Sequence, residues 1–252
     1  MAEDVLPAQA TEARAPFLEH LKELRKRIIY SAAAVLVGLV IGIIIGGPVQ
    51  ELLMLPAPSH VKFQAIDPTE NISIYFQVGL TTGVVLAMPV LVYQLFAFIG
   101  PGLTQREKRF IFTILPAITV LFLLGVAFAY FIALPPMLNF LYNFGSNIAE
   151  NVPRISSHIN VVTRVLLFMG FIFETPLIIM GLARLGIVSP KWLAARRKWW
   201  ILLAFIIAAF VSPTMDPLNQ TILAVPIILL LELGILLGRL VYKKKREQPQ
   251  AA

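Results

Sequence analysis

Pro16-Phe17-Leu18-Glu19-His20-Leu21-Lys22-Glu23-Leu24-Arg25-Lys26-Arg27 runs without a break into the apolar stretch Ile28–Gly46. Phe17, Leu18, Leu21, Leu24 and Ile28 fall on one helical stripe, and Glu19, Lys22, Glu23 and Lys26 lie off it. The pattern predicts an amphipathic helix abutting a membrane span. Lys and Arg beside a span set its topology. Acidic residues among them are not needed for that, so Glu19 and Glu23 are candidates for meeting a cation at the membrane surface. They also have local partners at helical spacing, Glu19 with Lys22 and Glu23 with Lys26 or Arg27. Such pairs contribute only a few tenths of a kcal/mol, about 0.2–0.5 each.

Outward from this stretch the chain alternates apolar runs with short charged blocks. Hydrophobic residues make up 58% of it, against roughly 45–50% in a soluble domain. The expected fold is an all-α membrane protein with six transmembrane helices in one bundle. The spans are read at about 28–46, 72–99, 110–134, 161–185, 199–211 and 218–240. Residues 1–15 read as a disordered N-terminal tail, 16–242 as the membrane domain and 243–252 as a basic C-terminal tail. A spanning helix needs about 20 residues; the fifth run and the most apolar part of the sixth are shorter, tied into a hairpin by Ser212-Pro213-Thr214-Met215-Asp216-Pro217. Val49–Leu55 and Pro135–Phe144 are too apolar for free loops and too short to span, and are expected to cap one face of the bundle.

Arg14, Lys22, Arg25, Lys26 and Arg27 precede the first span. Arg106, Lys108 and Arg109 lie between the second and third, and Arg184, Lys191, Arg196, Arg197 and Lys198 around the fourth–fifth connection. Arg239, Lys243, Lys244, Lys245 and Arg246 lie at the C-terminal end, and the other side has only Lys62, Arg154 and Arg164. The asymmetry predicts that both termini are cytoplasmic. The net charge of +7 therefore reads as topology and calls for no nucleic acid.

Within the runs, Glu174 stands near the middle of the fourth span, followed by Pro176. An ionised group at the bilayer centre costs at least about 2.5–3.5 kcal/mol, so it must face protein or a wet cavity. Pro176 is expected to kink the helix. Glu232, in the last third of the sixth span, can pair with a base such as Arg239. Glu107 follows Thr104 at capping-box spacing, which would place it at the start of the third span. No cysteine exists, the three histidines are scattered, and HExxH, GxSxG and Walker motifs are absent. No catalytic residue, metal site or cofactor is expected, and any energy must come from the membrane potential or a partner.

The ordered blocks resemble the TatC family, the multi-spanning core of the twin-arginine protein translocase. They are Phe17 to Arg27; Tyr93-Gln94-Leu95-Phe96-Ala97-Phe98-Ile99-Gly100-Pro101-Gly102-Leu103 into Arg106-Glu107-Lys108-Arg109; Ala127-Phe128-Ala129-Tyr130-Phe131; Phe173-Glu174-Thr175-Pro176; and Ser212-Pro213 with Asp216 and Gln220. The resemblance implies a receptor in the inner membrane for signal peptides bearing two adjacent arginines. Glu23 and Glu107 would form the pocket, with Arg25 ordering that surface and Glu19 beside it. Carboxylates take planar guanidinium forks bidentately, which lysine cannot reproduce. The resemblance further implies TatA- and TatB-type single-span partners in a hetero-oligomer of several copies, export of folded cargo driven by the proton-motive force, and partner contacts at Gln220, Ser212 and Asp216. The hairpin Ser212-Pro213-Thr214-Met215-Asp216 departs from the shorter Thr-Pro-Pro-Asp of many relatives. The competing reading is a proton-coupled small-solute carrier centred on Glu174.

Overall fold

The computed structural model describes residues 9–99, 105–145, 152–214 and 216–242, and among them the side chains of all but residues 9–19, 99, 106–108 and 110–111. Helix α1 (Gln9–Ile44) joins the charged stretch and the first apolar run into one rod, and includes residues 9–15 of the stretch read as a tail. A turn at Ile45 leads into α2 (Gly46–Met54), a short cap helix. Helix α3 (Glu70–Ile99) carries Pro89, and α4 (Gln105–Phe128) carries Pro116. A π-helical turn, Ala129–Ala133, links α4 to α5 (Leu134–Asn143). Then come α6 (Ile155–Phe173), α7 (Thr175–Arg184), the single turn-and-a-half α8 (Pro190–Ala195), α9 (Arg197–Val211) and α10 (Pro217–Val241).

Among the described residues, five helical stretches are long and apolar enough to cross a bilayer: His20–Ile44, Glu70–Phe98, Phe112–Asn143, Ile155–Arg184 and Pro217–Val241. Helix α9, at 15 residues, is about 22 Å long, short of the roughly 30 Å hydrocarbon core. The third stretch does not stop at Leu134 as expected. Pro135 and Pro136 fall in the first turn of α5, where a missing N–H costs nothing, so the helical path continues through the π turn. The amphipathic α5 buries Leu134, Met137, Leu138 and Tyr142 in the main core.

The packing is set by glycines. Gly38 lies against Gly83 and Gly42 against Gly79, so α1 and α3 run antiparallel with their backbones touching. A Cβ at Gly42 would fall 2.3 Å from the Gly79 carbonyl oxygen. These two G-x-x-x-G pairs are the close-approach device of membrane helices, and sequence reasoning did not single them out. Gly125 on α4 likewise meets Met169 and Gly170 on α6.

One end of the bundle is clamped by polar contacts. The Glu70 carboxylate, at the start of α3, accepts from the Ile66 (2.9 Å), Asp67 (3.4 Å) and Ser156 (2.9 Å) amides. Arg154 pairs with Asp67 and lies 3.8 Å from Glu70. Buried His158 donates from Nε2 to the Leu53 carbonyl (3.0 Å) and faces the Tyr142 hydroxyl (2.9 Å) through Nδ1. These contacts tie α2, the 55–69 loop, α5 and the start of α6 into one cap. Glu70→Ala should strand three amide donors and cost about 2–3 kcal/mol, since hydrogen bonds to charged groups contribute about 1.5–3. Thermal unfolding in detergent reads this loss, and an unchanged midpoint would contradict it.

Candidate functional site

Helices α3 and α6 start together at the clamped end, through Glu70 and Ser156, and the 30-residue α3 finishes at the opposite end. The antiparallel pairing brings the first half of α1 to that same end. There Arg27 donates through Nε to Glu23 Oε1 (2.7 Å) and through Nη1 to Gln94 Oε1 on α3 (3.0 Å). His20 stacks on Phe98, with centroids 4.4 Å apart. The expected local pairing of Glu23 thus takes Arg27 as its partner. The Glu23 side chain keeps 28% of its surface exposed, so the carboxylate stays within reach of a ligand while Arg27 occupies one oxygen.

Gln94 is the residue that sequence reasoning missed. Its signal was there, the one amide side chain in the apolar second half of α3, and the structure buries it. Arg25 is exposed and shares a shallow recess with Lys22, Lys26, Ile29 and Tyr30; it does not join the Glu23–Arg27–Gln94 group. Glu107 lies in the first turn of α4, and its side chain, like that of Glu19, is outside the described residues. Thr104, the other half of the expected capping box, also lies outside them.

Glu174 sits at the break between α6 and α7. Its amide donates to the Phe171 carbonyl (3.1 Å), and its own carbonyl accepts from Leu177 and Ile178 (3.0 Å each). Pro176, with no N–H to give, accounts for the break. The side chain is buried, and neither carboxylate oxygen has a hydrogen-bond partner among the described residues. A buried polar group left unmatched costs about 1–3 kcal/mol. Glu174→Leu, close in size and free of that cost, should therefore raise stability by about that amount. A denaturation series in detergent checks this; a loss of stability would show that the carboxylate has a partner in the folded chain.

The 212–220 hairpin is closed on itself. The Ser212 hydroxyl donates to the Thr214 carbonyl (2.7 Å), and Asp216 caps α10 by accepting from the Asn219 amide (2.8 Å) and from the Thr214 hydroxyl. Burial pushes the Asp216 carboxyl up, but the hydrogen bonds from Thr214 and Asn219 outweigh it and hold the group below its ordinary range. Gln220 donates to the Phe205 carbonyl (2.8 Å), pinning α10 to α9. Glu232 pairs with Arg197 of α9 through both oxygens (2.6 and 2.9 Å) and not with Arg239. Arg239 lies two turns further along its own helix, whereas Arg197 faces Glu232 across the α9–α10 contact.

Among the described residues no group of three or more His, Asp or Glu is placed to hold a metal. An apolar recess of about 340 Å³ opens between α2, α3, α4 and the π turn, lined by Leu52, Val85, Leu86, Leu123, Val126 and Phe131 among others. The described residues offer the Glu23 carboxylate at one end, an apolar wall along the bundle and an unmatched acid, Glu174, within it.

A family model described as Sec-independent protein translocase protein (TatC) matches residues 19–226. The Sec-independent protein translocase protein TatC of Aquifex aeolicus (strain VF5) is 37% identical over 241 residues, 94% of this chain and 100% of the relative. The Sec-independent protein translocase protein TatCy of Bacillus subtilis (strain 168) is 31% identical over 236 residues, 93% of this chain and 92% of the relative. A crystal structure of a twin arginine translocase receptor, TatC, matches with a TM-score of 0.79 at 36% identity, covering 88% of this chain and 99% of that one. A second, of such a receptor in DDM, matches with a TM-score of 0.80 at 37% identity over 87% and 99%.

Proposed function

Since the chain belongs to the TatC family of Sec-independent protein translocase proteins, we propose that it is the subunit that receives twin-arginine signal peptides. It is a membrane protein of Tat translocation, with helices apolar enough to span. In the proposed account all six runs cross the inner membrane, with α9 as the short fifth span and both termini in the cytoplasm. The basic end of the bundle is then the cytoplasmic face, where peptides arrive.

The observation that carries this reading is the antiparallel α1–α3 seam. It brings Glu23, held by Arg27, which also donates to Gln94 of α3, to the end where α3 gives way to α4, whose first turn contains Glu107. Two carboxylates from separate elements would each take one guanidinium of the peptide. Arg27 on Glu23 then acts as a resident guanidinium that an incoming arginine displaces or joins. Arg25 and Glu19 contribute to the surrounding charge, and the peptide's apolar segment follows the bundle wall toward Glu174. TatA- and TatB-type subunits would dock at the α9–α10 hairpin around Ser212, Asp216 and Gln220, in an assembly of several copies powered by the proton-motive force. The carrier reading centred on Glu174 is not favoured, because the family model and the relatives that match along most of the chain are protein translocase proteins.

The test is photo-crosslinking of a twin-arginine signal peptide to the full chain in membranes. The crosslink should be strong with arginines and fall at least about tenfold with lysines at both positions, because each lost bidentate pair removes a hydrogen bond to a charged group. Equal crosslinking of the two peptides would overturn the reading.

A further inference from the structure

All three tryptophans of the chain, Trp192, Trp199 and Trp200, gather where α8 meets α9. The Arg196 guanidinium stacks over the Trp192 ring, 4.3 Å from its centroid, and Lys198 Nζ lies 5.8 Å from the Trp199 centroid. Both distances are within cation–π range. Trp192 and Trp199 are exposed, whereas Trp200 turns inward to pack with Ile179, Leu193 and Ile235. Between the two cations, Arg197 is neutralised by Glu232. Arg196 and Lys198 make no ion pair among the described residues. Directly along α9 from them, Leu202, Ile206 and Phe210 are exposed.

We propose that this junction is a binding site for an anionic phospholipid. Arg196 and Lys198 hold the headgroup phosphate, Trp192 and Trp199 flank the glycerol region, and an acyl chain lies along Leu202, Ile206 and Phe210. Three features select a lipid. Indole rings settle at the boundary between headgroups and hydrocarbon. Basic pockets between membrane helices on the cytoplasmic side hold acidic headgroups. And α9, about 22 Å long by its rise per residue, is too short for the bilayer, so lipid beside it must thin and bring its phosphates toward these cations. Topology alone asks only for basic residues at this end; it does not ask for two cations each seated on an exposed indole. The proposal rests on the reading that α9 spans the membrane with this end cytoplasmic, but it uses none of the residues assigned to the peptide pocket, so loss of peptide capture and loss of lipid preference are read separately.

The tryptophans supply the probe. The full chain is reconstituted in zwitterionic phosphatidylcholine vesicles containing a minor fraction of brominated phosphatidylglycerol or, in a parallel sample, brominated phosphatidylcholine. Indole fluorescence then reports which lipid sits at the junction. Anionic lipid should be enriched there about fivefold for each cation near the surface, and its quenching should exceed that of the zwitterionic lipid at equal fraction. Arg196→Gln with Lys198→Gln should bring the two lipids to near parity, with quenching by brominated phosphatidylcholine unchanged, which shows that α9 still lies in the bilayer. Equal quenching by both lipids in the unaltered chain overturns the proposal, as does a preference that survives in the double variant. Loss of the preference on adding millimolar inorganic phosphate at constant ionic strength would assign the site to a free anion and also overturns it. Should the double variant fail to insert, the unaltered chain in the two lipid mixtures still decides.

Discussion

Gly83→Val should pry α1 from α3 and lower the stability of the chain in detergent by about 3 kcal/mol, the upper end for overpacking. A Cβ at position 83 would lie 2.5 Å from the Leu39 amide nitrogen and 2.8 Å from the Gly38 carbonyl carbon. These are backbone atoms of a helix, which cannot swing aside as a side-chain tip can. One helix must move, and the Gly42–Gly79 contact one turn along opens with it. Gly47, by contrast, has nothing within 4 Å of where its Cβ would be. Gly47→Ala should therefore be tolerated, and serves as the control for substitution of a helical glycine. Thermal or denaturant unfolding of the two variants beside the unaltered chain makes the comparison. Gly83→Val with unaltered stability would mean that the glycine seam does not hold α1 in place. Because the seam also positions Glu23, the same variant should weaken peptide capture.

The second large effect is expected at the carboxylates. Glu23→Ala with Glu107→Ala should abolish capture of a twin-arginine peptide, each single change costing about 1.5–3 kcal/mol of binding. Glu23→Ala has a side effect, since it leaves the partly buried Arg27 with Gln94 alone. Glu23→Gln separates the two consequences. It keeps an acceptor for Arg27 and removes the charge that an incoming guanidinium needs. Peptide affinity, read by titration against the protein in nanodiscs, should fall in Glu23→Gln while the unfolding midpoint stays near that of the unaltered chain. Undiminished affinity in Glu23→Gln would reduce Glu23 to an anchor for the α1–α3 contact.

The apolar runs made the helical membrane fold readable, because each long run had to satisfy its backbone internally. The break at Glu174 was foreshadowed by Pro176, a purely local cause. What escaped were features set by contacts between distant segments. Helix α5 continues the third stretch because a π turn re-aims the chain ahead of Pro135 and Pro136, and no period in the sequence announces a π turn. Glu232 takes Arg197, 35 residues away, because α9 and α10 pack side by side; along its own helix Arg239 was the nearer base. Gln94 became part of the site only when α1 folded onto α3. The G-x-x-x-G spacings were present in plain view, but their pairing, Gly38 with Gly83 and Gly42 with Gly79, is a property of two helices together. For the site itself, the charge pattern raised Glu19 and Glu23, Glu107 read only as half of a capping box, and the family resemblance joined Glu23 and Glu107 into one pocket.

The most direct test of the receptor account is a double-mutant cycle between the protein and the peptide. Glu23→Gln and Glu107→Gln are each combined with lysine at the first or second peptide arginine, and binding is measured for every combination. If each carboxylate holds one guanidinium, each glutamate should couple to one arginine by at least about 1 kcal/mol, within the 0.5–3 kcal/mol typical of contacting residues, and should be close to additive with the other. Additivity in all four cycles would contradict the account, because it would mean that neither carboxylate touches the twin arginines.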